Sequence, residues 1–389
     1  MRNQNVIQYQ RQRVFFSPSG LGGNMPRKPS DDEIRLMLAS NNQQRAINRL
    51  VVSKANENPM HILRLALFSA YSKHNHSLRG HNFGIYSGPG QGKTTVVKCF
   101  AEDAGIPFIF IQSSSLKSTW QLFQAIRAEF EKQGFPLVPQ TSEYHFLVPP
   151  CIVFFDEAHD LSLRLRRGGL LNPMEKADGW MMTSEDGKKN APMHQIDCEN
   201  ICWVAASTDP GIIFEQSEAF YDRFTNHLIW HPAGKEEIAR IVRQKHPQMP
   251  ESACKTVAFY RRNPRMADAF AEQVVVEKRM MGGTWDEAAA RIAQVNQIDQ
   301  WGMGAKELMV LKALGQRPIA KERLIVPAQC RKQELEKMVL PLLENELDGR
   351  PPLVSVTHKG YAITRAGQAE LNRRGIPHRG DAVLAESIV

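Results

Sequence analysis

The segment FGIYSGPGQGKTTVVKCF places three glycines, a lysine and two threonines between an apolar run and a helical one. Gly88, Gly90 and Gly92 can turn backbone amides inward and let an anion approach without side-chain clash. Lys93 supplies positive charge for the β- and γ-phosphates of a nucleoside triphosphate, and the Thr94 hydroxyl is a ligand for Mg²⁺. A helix starting after Gly92 adds its N-terminal dipole. The candidate phosphate-binding stretch is therefore Ser87, Gly88, Pro89, Gly90, Gln91, Gly92, Lys93, Thr94 and Thr95. The strict pattern G-x-x-x-x-G-K-[ST] asks for glycine at 87, where this chain has serine. Serine is small, so the turn is expected to survive.

About sixty residues on, CIVFFDEAHDL ends a continuous apolar run in two carboxylates. Burying charge without a partner is costly, so such a strand end points to chemistry. Asp156 is assigned to Mg²⁺, directly or through water. Glu157 is assigned to take a proton from the water that attacks the terminal phosphate. Phosphoryl transfer needs little covalent help, and positioning and charge neutralisation are the main tasks.

These residues need a scaffold. The chain has 389 residues, 42% hydrophobic and 23% charged, which fits a globular protein of two or three domains. No apolar run approaches the roughly 20 residues that span a bilayer. The N-terminal MRNQNVIQYQRQRVFF lacks the apolar core of a secretory signal. The expectation is a cytoplasmic protein with no membrane contact. A net charge of +8 suits a polyanionic partner such as DNA or RNA. The six cysteines form no CxxC pair and read as reduced, mostly buried thiols. His74, His76 and His81 read as a polar turn rather than a metal site.

Residues 1–30 are polar, basic and rich in Gly and Pro, and read as a flexible arm. Helical patterning starts at Asp31 and continues through Ala46–Val52 and His61–Tyr71. Strands are expected at Phe83–Tyr86, Pro107–Ile111, Cys151–Phe155, Ile201–Ala205 and Leu228–Trp230, with helices at Thr94–Ala104 and Thr119–Lys132 between them. This alternation gives an α/β fold with a parallel sheet covered on both faces. Residues 236–298 read as helical throughout. Residues 303–376 read as three helices and a hairpin, Leu353–Thr364, with His358, Lys359 and Gly360 at its tip, the order of a winged helix.

Three further segments resemble the AAA+ ATPases. ICWVAASTDPG resembles the sensor-1 strand, with Thr208 at the sensor position and Ser207 beside it. EAFYDRFTNHLIW resembles the segment that lends an arginine finger to a neighbouring subunit, which makes Arg223 the finger. YRRNPRMADAF resembles the sensor-2 helix, with Arg265 directed to the phosphates and Arg261 and Arg262 solvent-facing. Within that class the order and spacing of LLNPMEKADGW, VAASTDPG, YDRF, NPRMADAF and PLLENEL…VSVTHKGYAITRAG resemble the RuvB family of Holliday-junction branch-migration motors. The similarity runs from about Gly84 to Gly375.

The resemblance implies a P-loop ATPase domain over 31–233, a helical lid over 234–300 and a winged helix over 301–378, followed by a tail. It implies ATP and Mg²⁺ as cofactors, a ring that is hexameric in the family, and double-stranded or branched DNA as partner. The family's partner-gripping hairpin corresponds to 180–196, centred on Gly187, where a plain exposed loop is an equal reading. Tyr221 and Asp209 stand where RuvB-type sequences carry arginines. The basic stretch Arg164, Arg166 and Arg167 replaces a more acidic one. His358 and Lys359 at the wing tip, with Arg164, Arg166 and Arg167, are the candidate DNA contacts. These departures mark a divergent relative of the kind a mobile element or phage carries. A DNA-translocating motor is the first reading. An ATP-dependent, DNA-bound switch that recruits a transposase, nuclease or other protein is the alternative, and a remodeller of protein substrates is a third.

Overall fold

The computed structural model describes residue 46 and residues 49–378, apart from 73–77, 79, 135, 138, 141, 176–178, 186–187, 189–190, 300, 345 and 347–348. The expected arm at 1–30, the helix start at Asp31, His74, His76, Gly187 and the tail lie outside the described residues. The chain divides into two compact units, residues 1–87 with 92–231, and residues 88–91 with 232–389.

In the first unit, α1 (Glu57–Ser72) precedes β1 (Phe83–Tyr86), α2 (Lys93–Ala104), β2 (Phe108–Gln112), α3 (Thr119–Lys132), β3 (His145–Leu147) and β4 (Cys151–Asp156). Then follow β5 (Trp180–Thr183), β6 (His194–Asp197), β7 (Ile201–Ser207), α4 (Pro210–Gln216) and β8 (Asn226–Ile229). The five long-range strands form one parallel sheet in the order β2-β4-β7-β1-β8. Each central strand reads as an unbroken apolar run because both faces are covered. Successive side chains alternate between faces. Val153 and Phe155 pack with α3 residues such as Leu122 and Phe123, while Ile152 and Phe154 pack with α2 residues such as Val97 and Phe100.

The sequence-expected strands sit within a residue or two of these. β8 starts earlier than expected, at Asn226, because its first two residues are polar and it earns its place by pairing with β1. Of the helix expected over 46–52, the described residues hold a turn at Ala46, a 3-10 position at Arg49 and non-helical backbone over 51–53, ahead of a short 3-10 segment at Lys54–Asn56. A second sheet, β3-β6-β5, pairs β5 and β6 as the antiparallel arms of a hairpin over 180–197. Met181 and Thr183 face inward, while Trp180 and Met182 are exposed.

The second unit contains α5 (Lys235–Lys245), α6 (Glu251–Tyr260), α7 (Pro264–Met281) and α8 (Trp285–Val295), which enclose one hydrophobic cluster. After them come α9 (Ala305–Leu314), a helical stretch from Lys332 to Glu344, the hairpin of β9 (Val354–Thr357) and β10 (Gly360–Ile363), and α10 (Arg365–Arg373), around a separate cluster. The stretch at 332–344 widens into a π turn at Leu335–Val339. Pro341 lies just beyond and has no N–H to offer a regular helical ladder. All six cysteines are free thiols, and burial raises the pKa of Cys151, Cys198 and Cys202. Among the described residues no helix is long and apolar enough to cross a membrane.

Asn82, just ahead of β1, ties three strand-end segments together. Its Nδ2 donates to the carbonyls of Met174 (3.2 Å) and Arg223 (3.3 Å), and its Oδ1 accepts from the Trp203 amide (3.0 Å). Its own carbonyl takes the Thr225 amide and hydroxyl. Asn82→Ala leaves buried donors and acceptors unmatched and is expected to cost about 1–3 kcal/mol. Urea unfolding checks this, with Asn82→Asp moving the same way because a carboxylate would face two carbonyls.

Candidate functional site

β1, β7 and β4 are adjacent in the sheet, so their C-terminal ends bring three sequence-distant segments together. The loop after β1 turns into α2 at Gly92, whose φ of 90° lies in the left-handed region that suits glycine. The Lys93 ammonium, only 7% exposed, donates to the Ser87 carbonyl at 2.9 Å. The Ser87 amide donates to the Ser207 carbonyl at the end of β7 (3.3 Å). Serine at 87 therefore leaves the turn intact. A buried cation at a helix N-terminus beside a glycine-lined loop fits a phosphate chain.

Asp156 closes β4 in register with Gln112 of β2. Glu157 follows with φ 50° and ψ 58°, a left-handed conformation that costs energy for a residue with a side chain. The Thr208 amide (3.0 Å) and hydroxyl (2.9 Å) both donate to Glu157 Oε2. Thr208 thus holds one oxygen of the Glu157 carboxylate through both its backbone and its side chain. Thr94 and Asp156 supply the hard oxygen donors that Mg²⁺ prefers.

Within the second unit, residues 88–91 meet the start of α7. Asn263 caps that helix, its Oδ1 accepting from Arg265 N (3.0 Å) and Met266 N (3.4 Å), while its Nδ2 donates to the Pro89 carbonyl (2.7 Å). Gly90 has φ 73°, and a Cβ there would lie 2.5 Å from Asn263 Oδ1 and 3.1 Å from Arg265 Cβ. Arg265 is exposed, with its Cβ beside Gly90.

Other assigned residues lie elsewhere. The Arg223 guanidinium pairs with Glu175 and donates to the Leu171 carbonyl (3.3 Å), so within this chain it is turned to its own unit. Tyr221 stacks on His227 at 4.0 Å, and both rings lie nearly parallel to that of Tyr86, at 6.3 and 5.8 Å. The Tyr86 hydroxyl bonds His227 Nδ1 at 3.0 Å, and burial raises the tyrosine's pKa while lowering that of the histidine.

Arg166 corrects the sequence expectation. It is 3% exposed, its Nε donates to the Leu161 carbonyl (2.9 Å) and its Nη2 to Gln216 Oε1 (2.6 Å). A guanidinium spent on the core is not available to a DNA backbone. Arg164 and Arg167 are exposed, with Arg167 also held by the Gln216 carbonyl. Arg261 and Arg262 are half-buried rather than solvent-facing. Burial lowers the Arg261 pKa, and its guanidinium lies over the Phe270 ring. His358 and Lys359 form the two-residue turn between β9 and β10, with Lys359 exposed.

Sequence reasoning gave no role to Asn263 or to His159. The Asn-Pro pair before a helix was a visible capping signal. His159 is buried and bonds Ser207 Oγ at 2.9 Å, which only the β4–β7 pairing brings about.

Residues 84–230 match the AAA family, the ATPase family associated with various cellular activities. In sequence the chain is 26% identical over 180 residues to protein CdcH of Halobacterium salinarum, covering 45% of this chain and 21% of that one. It is 28% identical over 199 residues to ATP-dependent zinc metalloprotease FtsH 1 of a Thermoanaerobacter species, covering 50% of this chain and 29% of that one. The chain thus spans less than a third of the length of these two relatives. In structure it matches the RuvB Holliday junction branch migration motor of Thermotoga maritima with a TM-score of 0.59 at 17% identity, over 84% of this chain and 96% of that one. A mutant form of that protein superposes with a TM-score of 0.61. Residues 84–230 thus carry an AAA-family ATPase domain, on a chain whose fold is RuvB-like. ATP with Mg²⁺ is the cofactor pair of this class.

Replacing Arg166 by Met is expected to cost about 2–3 kcal/mol through the lost charge-assisted hydrogen bonds. Urea unfolding checks this, and an unchanged midpoint would contradict the buried role of the guanidinium.

Proposed function

We propose that this protein is an oligomeric ATP-hydrolysing motor acting on double-stranded or branched DNA, in the manner of a RuvB-type branch-migration helicase. The observation that carries the reading is the convergence of Lys93, Glu157 and Thr208 at one end of the sheet, on a chain whose RuvB-like fold extends beyond the ATPase domain.

In this reading Lys93 and the amides of the glycine loop bind the β- and γ-phosphates. Thr94 and Asp156 hold Mg²⁺, which supplies charge neutralisation on the phosphates when bound. Glu157 accepts a proton from the attacking water, while Thr208 fixes the carboxylate. Arg265 approaches the phosphates from the start of α7. Arg223 leaves Glu175 and enters the site of the next protomer of a ring, a hexamer by analogy with the family, where its charge stabilises the transferred phosphoryl group. An exposed ion pair of this kind contributes only about 0–1 kcal/mol, so its exchange for a phosphate is cheap. The two hydrophobic clusters of the second unit support a lid over 234–300 and a winged helix over 301–378. Arg164, Arg167 and the His358–Lys359 wing tip are the DNA-facing cations. Trp180 and Met182 on the exposed face of the hairpin arm suit an accessory protein. The site of action is the cytoplasm.

The sequence relatives support a second reading, remodelling of protein substrates, because FtsH is by name a protease. Two measurements separate these outcomes. Lys93→Ala should lose ATP binding, whereas Glu157→Gln should keep it and lose hydrolysis by about a hundredfold or more. Forked or four-way duplex DNA should stimulate the wild-type ATPase and be unwound or migrated only with hydrolysable ATP. An ATPase indifferent to DNA but stimulated by unfolded protein would reject the motor.

A further inference from the structure

His159 sits two residues after Glu157, is 8% exposed, and lies against the Glu157 carboxylate. Its Nδ1 lies 2.9 Å from Ser207 Oγ and 3.3 Å from Glu157 Oε2. Its Nε2 is buried with no hydrogen-bond partner among the described residues, the nearest acid oxygen being Asp160 Oδ1 at 3.8 Å. Ser207 Oγ already accepts the Asp209 amide at 2.9 Å, which fixes it at the start of the turn that carries Thr208.

Two oxygens facing one ring nitrogen decide the tautomer. A bare Nδ1 would set its lone pair against the Glu157 carboxylate. A protonated Nδ1 donates to Ser207 and lies along the negative charge of Oε2. The proton is therefore on Nδ1, and Nε2 carries the lone pair, which needs no donor as strictly as an N–H needs an acceptor. With the two Thr208 bonds, three groups then converge on Oε2. Oε1 takes part in none of these three contacts.

We propose that His159 is a positioning residue for ATP hydrolysis. Its Nδ1–H, held by Ser207, locks Glu157 Oε2 against Thr208 and so keeps the strained, left-handed glutamate aimed with Oε1 toward the attacking water. The proposal rests on Glu157 being the base. It explains why the turn after β4 keeps a buried polar ring in a core otherwise lined by Ala158, Leu161 and Phe155. It also couples the sensor turn to the base through one side chain, since any shift of Ser207 pulls on His159 and Thr208 together.

The test uses three full-length proteins, wild type, His159→Leu and His159→Asn, in steady-state ATP hydrolysis with Mg²⁺. Leucine fills the space without a donor, and asparagine places its amide N–H near the position of Nδ1–H. His159→Leu should lower kcat by about ten- to a hundredfold, as a small misplacement of a catalytic group does, with KM for ATP within about threefold of wild type. His159→Asn should recover most of the lost kcat. Thermal melting accompanies each variant, because a ring with a merely structural role would let leucine, the more apolar residue, retain both stability and kcat. Wild-type kcat in His159→Leu, or equal loss in the asparagine variant when both are folded, overturns the proposal while leaving the ATPase reading standing. A folded wild type that binds ATP but never hydrolyses it overturns both.

Discussion

The hydrogen bonds from Thr208 to Glu157 are the interaction on which the site depends. A glutamate in the left-handed region is strained, and it persists only where neighbours over-determine it. Here the neighbours come from β7, the strand paired with β4, so the geometry of the base is a direct consequence of sheet register. The same strand end holds the phosphate loop through the Ser207 carbonyl and the Ser87 amide. Glu157, Thr208 and Ser87 are thus tied to a single strand terminus. A displacement of that terminus would be felt by all three.

Within the second unit, residues 88–91 carry a further constraint. Asn263 satisfies the amides at the start of α7 with one end of its side chain and the Pro89 carbonyl with the other. The close approach leaves no room for a side chain at Gly90. Glycine at 90 is therefore required by packing as well as by its positive φ, whereas Ser87 meets Lys93 and Ser207 through its backbone carbonyl and amide, which any residue supplies.

Much of this was legible in the sequence. The glycine-rich turn between β1 and α2 was legible from its glycine spacing, and the acidic end of β4 from charge closing an apolar run. The five strands of the main sheet were legible for the same reason, since doubly covered strands are uniformly apolar. β3 escaped notice because three residues carry no periodicity. The start of β8 escaped because Asn226 and His227 are polar and the strand lies at the sheet edge. Arg166 was misjudged because a guanidinium's surroundings cannot be read from its neighbours in sequence. Its partners, Leu161 and Gln216, lie five and fifty positions away. His159 was missed for the same reason, since its value comes from Ser207 across the sheet.

The central claim is that the Glu157 carboxylate, held through one oxygen, presents the other to the water that cleaves ATP. A high-resolution structure of the wild-type oligomer with Mg²⁺, ADP and a fluoride mimic of the transferred phosphoryl group tests it most directly. The account predicts phosphates seated on the loop over Lys93, Thr208 still bonded to Oε2, and an ordered water between Oε1 and the phosphoryl mimic. A water activated by a different residue, with Glu157 turned away from the phosphates, would contradict it.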